Sequence, residues 1–125
     1  MITGVGIDIV EVKRMEKWLG SSSLLERYFH PDEVKVAFSR RNTAALFLAA
    51  RFAAKEAFGK ALGTGLANLI LKDILVVNKA NGKPEIKLFG TAKQAMEKSG
   101  AKKAHISLTH ERENAVAMVI LEGGI

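Results

Sequence analysis

Two carboxylates in this chain stand near basic residues in a pattern suited to phosphate chemistry: Asp8, in GVGIDIVEV, and Glu56, in RFAAKEAFGKALGTG. The second stretch also carries Arg51, Lys55 and Lys60 among Ala, Leu and Phe. Burying unpaired charge is costly, so such a segment is either a solvated face or a site that binds something charged. Two hard carboxylate oxygens on separate elements, with Lys and Arg nearby, are what a magnesium phosphate site needs. The ion takes one or two carboxylates and completes its shell with water and phosphate oxygens. The plainer alternative is an amphipathic helix with a solvated, ion-paired side, and for Asp8 a surface carboxylate at a strand end. Cysteine is absent, which excludes disulfides, thiolate metal sites and cysteine nucleophiles. His30, before Pro31, reads as a helix-entry residue, while His105 and His110 at strand positions read equally as hydrogen-bonded structural histidines or ligand contacts.

The elements that must position these residues follow from periodicity and from turn chemistry. Residues 2 to 12 alternate Val5, Ile7 and Ile9 with Gly4, Gly6 and Asp8, a strand with small residues on one face, from which Asp8 projects. Residues 13 to 29 read as helical, with a break at Gly20 and a cap in Ser21-Ser22-Ser23, and His30-Pro31-Asp32-Glu33 opens a further helix. Asn42 is placed to cap a long helix from Thr43 to Leu62 that ends at Gly63-Thr64-Gly65. At about 100° per residue, Arg51 and Lys55 are neighbours on this helix, as are Glu56 and Lys60. All four are assigned to one half of it, opposite a core-packing half that includes Phe47, Ala50, Ala54, Phe58 and Ala61. Strands at 74–77 and 85–88 join through Asn81-Gly82, residues 91–99 form a short helix closed by Gly100, and 105–110 with 115–122 form a second hairpin. This order predicts one α+β domain over residues 1–125, with a mostly antiparallel sheet packed by the long central helix. It excludes a doubly wound nucleotide-binding fold. Gly4-x-Gly6 lies within a strand and lacks the third glycine, and Gly59, Gly63 and Gly65 lack the Gly-Lys-Ser/Thr of a P-loop.

The 125 residues are 48% hydrophobic and 26% charged, the composition of a soluble globular protein. The N-terminus has neither the basic start nor the long apolar core of a signal peptide, and no apolar run approaches the ~18 residues of a membrane span. A cytoplasmic location without membrane association is expected. The net charge of +6 favours an anionic partner. A basic nucleic-acid-binding module is the competing class, but with 6% aromatic residues, mainly at core-like positions, there is no stacking platform, and there is no Arg-rich run. No nucleic-acid partner is expected.

GVGIDIVEVKRM (4–15), RFAAKEAFGKALGTG (51–65), NGKPEI (81–86) and HISLTHERENAVAMVI (105–120) together resemble, in the same order and over the length of the chain, the holo-acyl-carrier-protein synthases, small bacterial 4′-phosphopantetheinyl transferases. The resemblance implies the 4′-phosphopantetheinyl transferase fold. It also implies Mg²⁺-dependent transfer of the phosphopantetheine arm of coenzyme A to a serine of apo acyl carrier protein, with release of adenosine 3′,5′-bisphosphate, in fatty acid biosynthesis. A transferase serving another carrier domain is the related alternative. By the family's pattern Asp8 and Glu56 bind magnesium. Ser107-Leu108-Thr109-His110 stands where Ser-Leu-Ser-His is usual, which keeps a hydroxyl.

On this reading Lys60 neutralises the diphosphate, and Arg51 reaches further phosphate charge such as the 3′-phosphate. Gly63, Thr64 and Gly65 let the backbone approach the ligand, Pro84 lines the adenine side or shapes the hairpin, and His105 contacts the ligand, with His110 left open. Lys55 either joins Arg51 or packs its stem and points to solvent. The base for the serine proton is left among Glu56, Asp8 through a metal-bound water, Asp32 and Glu33. Lys13, Arg14, Lys17 and Arg27 form a basic surface for the acidic carrier protein, and the family's members assemble as homotrimers with the site between subunits.

Overall fold

In the computed structural model, which describes residues 1–124, β1 (Ile2–Glu11) leads through α1 (Val12–Trp18), α2 (Ser22–Tyr28) and α3 (Pro31–Ser39) into the long α4 (Ala44–Leu62). The hairpin β2 (Ile74–Asn78) and β3 (Pro84–Leu88), the helix α5 (Gly90–Ser99) and the hairpin β4 (Ala101–His110) and β5 (Asn114–Gly123) follow. β5 lies between β1 and β4 and is antiparallel to both, and β2 with β3 makes a separate antiparallel sheet. The architecture is the expected α+β one, with the strands divided between two sheets.

The period of two along β1 turns Gly4, Gly6, Asp8 and Val10 toward α4, together with Ala115, Ala117, Val119 and Leu121 of β5. Glycine is required on this face because the helix backbone lies against it. A Cβ at Gly6 would come within 1.9 Å of the Ala57 carbonyl oxygen, and one at Gly4 within 1.9 Å of that of Ala61. The helix answers with small residues, Ala53, Ala54 and Ala57, all fully buried. This close approach is what places Asp8 beside the last turns of α4. A Gly6→Ala variant is expected to lose about 2–3 kcal/mol, the cost of overpacking where backbone must move. Urea unfolding would show a lower midpoint at unchanged slope, and an unchanged midpoint would mean that the helix seats without this contact. The other face of the sheet keeps Val5, Ile7 and Ile9 more than half exposed.

The long helix departs from the expected amphipathic pattern. It is enclosed by the three-stranded sheet, α1, α3 and β2, and nearly all of its residues are buried, Arg51 and Lys55 among them. Its four charges therefore do not share a wetted half. Arg51 and Lys55 face Asn78 and Glu33, whereas Lys60 and its neighbour Glu56 face Asp8.

Local signals hold elsewhere with two corrections. His30 caps α3, its Nδ1 accepting from the Asp32 amide at 3.1 Å while Glu33 Oε1 accepts from the His30 amide at 3.0 Å. Asn42 does not cap α4: Arg41–Thr43 form a 3-10 turn, and Thr43 precedes the helix with no side-chain cap. Asn81 and Gly82 sit inside a longer connection, Lys79 to Lys83, where Gly82 takes φ 86° and Asn81 Oδ1 accepts from the Lys83 amide at 3.0 Å. Among the described residues no helix is long and apolar enough to cross a membrane.

Candidate active site

The close packing of β1 on α4 brings Asp8, Glu56 and Lys60 together. Lys60 Nζ donates to Asp8 Oδ1 at 2.9 Å and to the Ile7 carbonyl at 3.1 Å. The Asp8 side chain is only 12% exposed against 53% for Lys60, so the carboxylate is sheltered and the ammonium covers it from the solvent side. Burial first, and then the charge of Asp8, push the Glu56 carboxyl above its ordinary range, against the pull of Arg14 and Lys60. Lys60 is raised in turn, chiefly by its hydrogen bond to Asp8. Two carboxyl groups this close repel unless a proton or a cation lies between them. Lys60 is the only cation in ion-pair contact with the two carboxylates among the described residues, and hard oxygen donors with negative charge left over fit Mg²⁺. Among the described residues no cluster of three or more His, Cys, Asp or Glu exists. The two carboxylates would therefore leave most of the shell to water and ligand oxygens, as that ion prefers.

Arg51 belongs to a different concavity. Its Nη2 donates to Asn78 Oδ1 at 3.2 Å, its guanidinium lies 3.9 Å from the centre of the Phe47 ring, and Arg40 sits 4.7 Å from the same ring. Nε is buried without a partner. Burial lowers the Arg51 pKa to about 10, with Glu33 opposing and Arg40 adding to the shift, so the group stays charged at neutral pH. A cleft of about 420 Å³ is lined by Arg40, Phe47, Arg51, Pro84 and His110. Two guanidiniums with no carboxylate in ion-pair contact among the described residues give it the chemistry to receive an anion.

The expected single floor is thus two separate surfaces. Arg51 and Lys60 are nine positions apart on α4, which at about 100° per residue sets them on opposite sides. Pro84 and the open candidate His110 join Arg51. His105 joins neither group: it lies on the outer face of the three-stranded sheet opposite Ile120, with Nε2 2.9 Å from Glu122 Oε1. Gly63 and Gly65 both have positive φ, 85° and 63°, and the Gly65 amide folds back to the Gly59 carbonyl at 3.0 Å. The segment ends α4 one turn beyond Lys60, with Thr64 exposed at its tip.

Two expectations are overturned. Lys55 does not reach solvent, being fully buried and 2.7 Å from Glu33 Oε1, and Glu33 with its two oxygens so engaged cannot serve as a base. Asp32, at the start of α3, is exposed beside His30, not grouped with Asp8. Lys13, Arg14, Lys17 and Arg27 are all exposed. Arg14 lies over Trp18 and Phe52, at 5.3 and 5.0 Å, and its charge reaches Glu56, which links this surface to the carboxylate pair. Sequence reasoning missed Arg40 and Asn78. Arg40 stands among basic residues at a helix end, but only the fold shows that Phe47 seats both guanidiniums.

Comparison with known proteins agrees over nearly the whole chain. Residues 4–119 match the 4′-phosphopantetheinyl transferase superfamily. The holo-[acyl-carrier-protein] synthase of Treponema denticola is 58% identical over 123 residues, covering 98% of this chain and 100% of that protein. The crystal structure of the holo-[acyl-carrier-protein] synthase of Neisseria meningitidis superposes with a TM-score of 0.86 at 33% identity, covering 98% of this chain and 99% of that one. That of a Bacillus anthracis holo-(acyl-carrier-protein) synthase, solved in complex with coenzyme A (3′,5′-ADP), gives 0.83 at 38% identity, with 99% of each chain covered. With this agreement in sequence and fold, the chain belongs to the holo-[acyl-carrier-protein] synthase family of 4′-phosphopantetheinyl transferases.

Proposed function

We propose that this enzyme transfers the 4′-phosphopantetheine arm of coenzyme A to a serine of apo acyl carrier protein, in the cytoplasm, with Mg²⁺, releasing adenosine 3′,5′-bisphosphate for fatty acid biosynthesis. The observation that carries the reading is the sheltered Asp8–Glu56 pair with the Lys60 ammonium on it, next to an exposed basic α1. Asp8 and Glu56 would hold the magnesium ion, which supplies charge neutralisation at the diphosphate. Lys60, whose side chain is half exposed, would turn from Asp8 to a phosphate oxygen and stabilise charge there as the bond to the departing bisphosphate breaks. The carrier serine hydroxyl attacks the β-phosphorus as the bond from that phosphorus to the bisphosphate oxygen breaks; with Glu33 and Asp32 set aside, its proton goes to a carboxylate oxygen of Glu56 that the ion leaves free, or through a water to Asp8. Mass spectrometry of apo carrier protein incubated with this enzyme, coenzyme A and Mg²⁺ tests the reaction. A gain of one phosphopantetheine is expected, and an unchanged mass would refute it.

Lys60→Ala is expected to lower kcat by about 10²-fold, the usual cost of losing one donor aimed at developing charge. A variant that turned over normally at saturating coenzyme A, with raised KM alone, would make Lys60 a binding residue only. The carrier is read onto α1 and α2. Arg14→Glu is accordingly expected to raise KM for the carrier about tenfold and to flatten its salt dependence, with a much smaller change in coenzyme A affinity through its charge on Glu56. An unaltered carrier KM would move the docking surface elsewhere.

The Arg51 cleft suits the nucleotide end of coenzyme A, the guanidinium taking the 3′-phosphate and Pro84 the adenine side. Since it opens on the far side of α4 from Asp8, one ligand meets both groups only if two copies of the chain lie side by side. The exposed apolar face of Val5, Ile7, Ile9 and Met118 offers the contact area, and His105 lies on the same face of the sheet, where it would meet a ligand carried by an adjoining copy. This supports the homotrimer with sites between subunits.

A further inference from the structure

The buried pair of Glu33 and Lys55 takes no part in the chemistry above, yet its hydrogen bonding is complete. Lys55 Nζ donates to Glu33 Oε1 at 2.7 Å, to the Leu71 carbonyl at 3.0 Å and to the Ile74 carbonyl, which uses all three of its protons. Glu33 Oε1 also accepts from the His30 amide at 3.0 Å, and Oε2 accepts from the Val76 amide at 3.1 Å. The pair therefore ties the first turn of α3 and the opening of β2 to the middle of α4. Two residues beyond Val76 on the same strand stands Asn78, whose Oδ1 receives Arg51 Nη2, and Lys55 lies one turn after Arg51 on α4. Stability alone does not account for the arrangement. Replacing a buried ion pair by apolar groups of similar size is often neutral or stabilising.

We infer that Glu33 and Lys55 form a positioning unit for the nucleotide cleft: by locking β2 against α4 they fix Asn78, and through it the Arg51 guanidinium, at the place of the 3′-phosphate. The inference rests on the reading of that cleft as the coenzyme A nucleotide site. The negative charge of Glu33 acts on Arg51 as well, against the repulsion of Arg40. Loss of the pair therefore frees the strand and unbalances the guanidiniums together.

The test compares coenzyme A with the analogue lacking its 3′-phosphate, at saturating carrier protein, in wild type, Arg51→Ala, Glu33→Gln and the double variant Glu33→Met/Lys55→Met. The double variant removes both charges of the pair together and so leaves no unpaired Lys55 ammonium, which keeps the test available if the single one does not fold. In the wild type the 3′-phosphate is expected to lower KM about 30-fold, the scale of one charge-assisted contact, and Arg51→Ala should abolish that preference. The pair variants should cut the preference to about threefold, with kcat within about twofold of wild type and KM for the analogue unchanged. A merely structural defect reduces the active fraction and acts on both substrates alike, so it leaves the KM ratio where it was. If the pair variants keep the full preference while Arg51→Ala loses it, the positioning role is overturned and the cleft reading stands. If Arg51→Ala itself keeps the preference, both fall.

Discussion

Asp8→Ala and Glu56→Ala are each expected to lower turnover by about 10³-fold or more, since loss of a metal's charge neutralisation costs several kcal/mol of barrier. Neither should unfold the chain. The Glu56 carboxyl is raised in the fold by burial and by Asp8. Its stabilising contribution is therefore present below its unfolded pKa and lost as pH rises through the higher folded value. Burial and the Asp8 charge both oppose its ionisation, so Glu56→Ala relieves like-charge repulsion at the site. Removing Asp8 frees a half-exposed ammonium, which water solvates readily. The measurement is steady-state turnover alongside thermal unfolding with and without Mg²⁺ and coenzyme A. Wild type should gain melting temperature from the two ligands together, and the variants should gain little. Retained Mg²⁺-dependent turnover in either variant would end the assignment of these carboxylates.

What the sequence disclosed and what it withheld divide by the range of the interactions. The alternation in β1, the Gly63 and Gly100 helix ends and the His30-Pro31 entry are local devices, readable within a few residues, and each is found in the fold. Asp8 and Glu56, which the fold brings together, stand out as candidates because the motifs that carry them are short and contiguous. The mistake over α4 came from a local rule applied to a helix with a non-local environment. Charges spaced four apart imply a wetted side only if one side faces water, and α4 is closed in by elements from both ends of the chain. Lys55 can be buried there because Glu33, on another helix, meets it, and no periodicity within residues 44–62 announces that partner. Family resemblance likewise supplied Arg51 and His105 as ligand contacts without saying on which side of the molecule each lies. Only the packing shows that Arg51, Lys60 and His105 open in three directions.

Mixing Asp8→Ala chains with Arg51→Ala chains is expected to recover activity that neither has alone. Asp8→Ala should be inert at any coenzyme A concentration. Arg51→Ala should turn over only with a KM raised about 30-fold, so it is nearly silent when coenzyme A is limiting. In a trimer whose sites lie between copies, each site draws its carboxylates from one chain and its guanidinium from the next. Such a site is intact when the first chain carries the Arg51 substitution and the second the Asp8 substitution. With random assembly of equal amounts that arrangement occurs at about one site in four. Co-expressed or co-refolded chains should therefore show a component with the wild-type KM at about one quarter of the wild-type amplitude, absent when the two proteins are kept apart. A site built within one chain predicts no such component at any mixing ratio, because every copy would then lack one of the two groups. The placement of Arg51 and Lys60 on opposite sides of α4 favours recovery, since a single coenzyme A lying against one chain would have to pass around the buried helix to touch both.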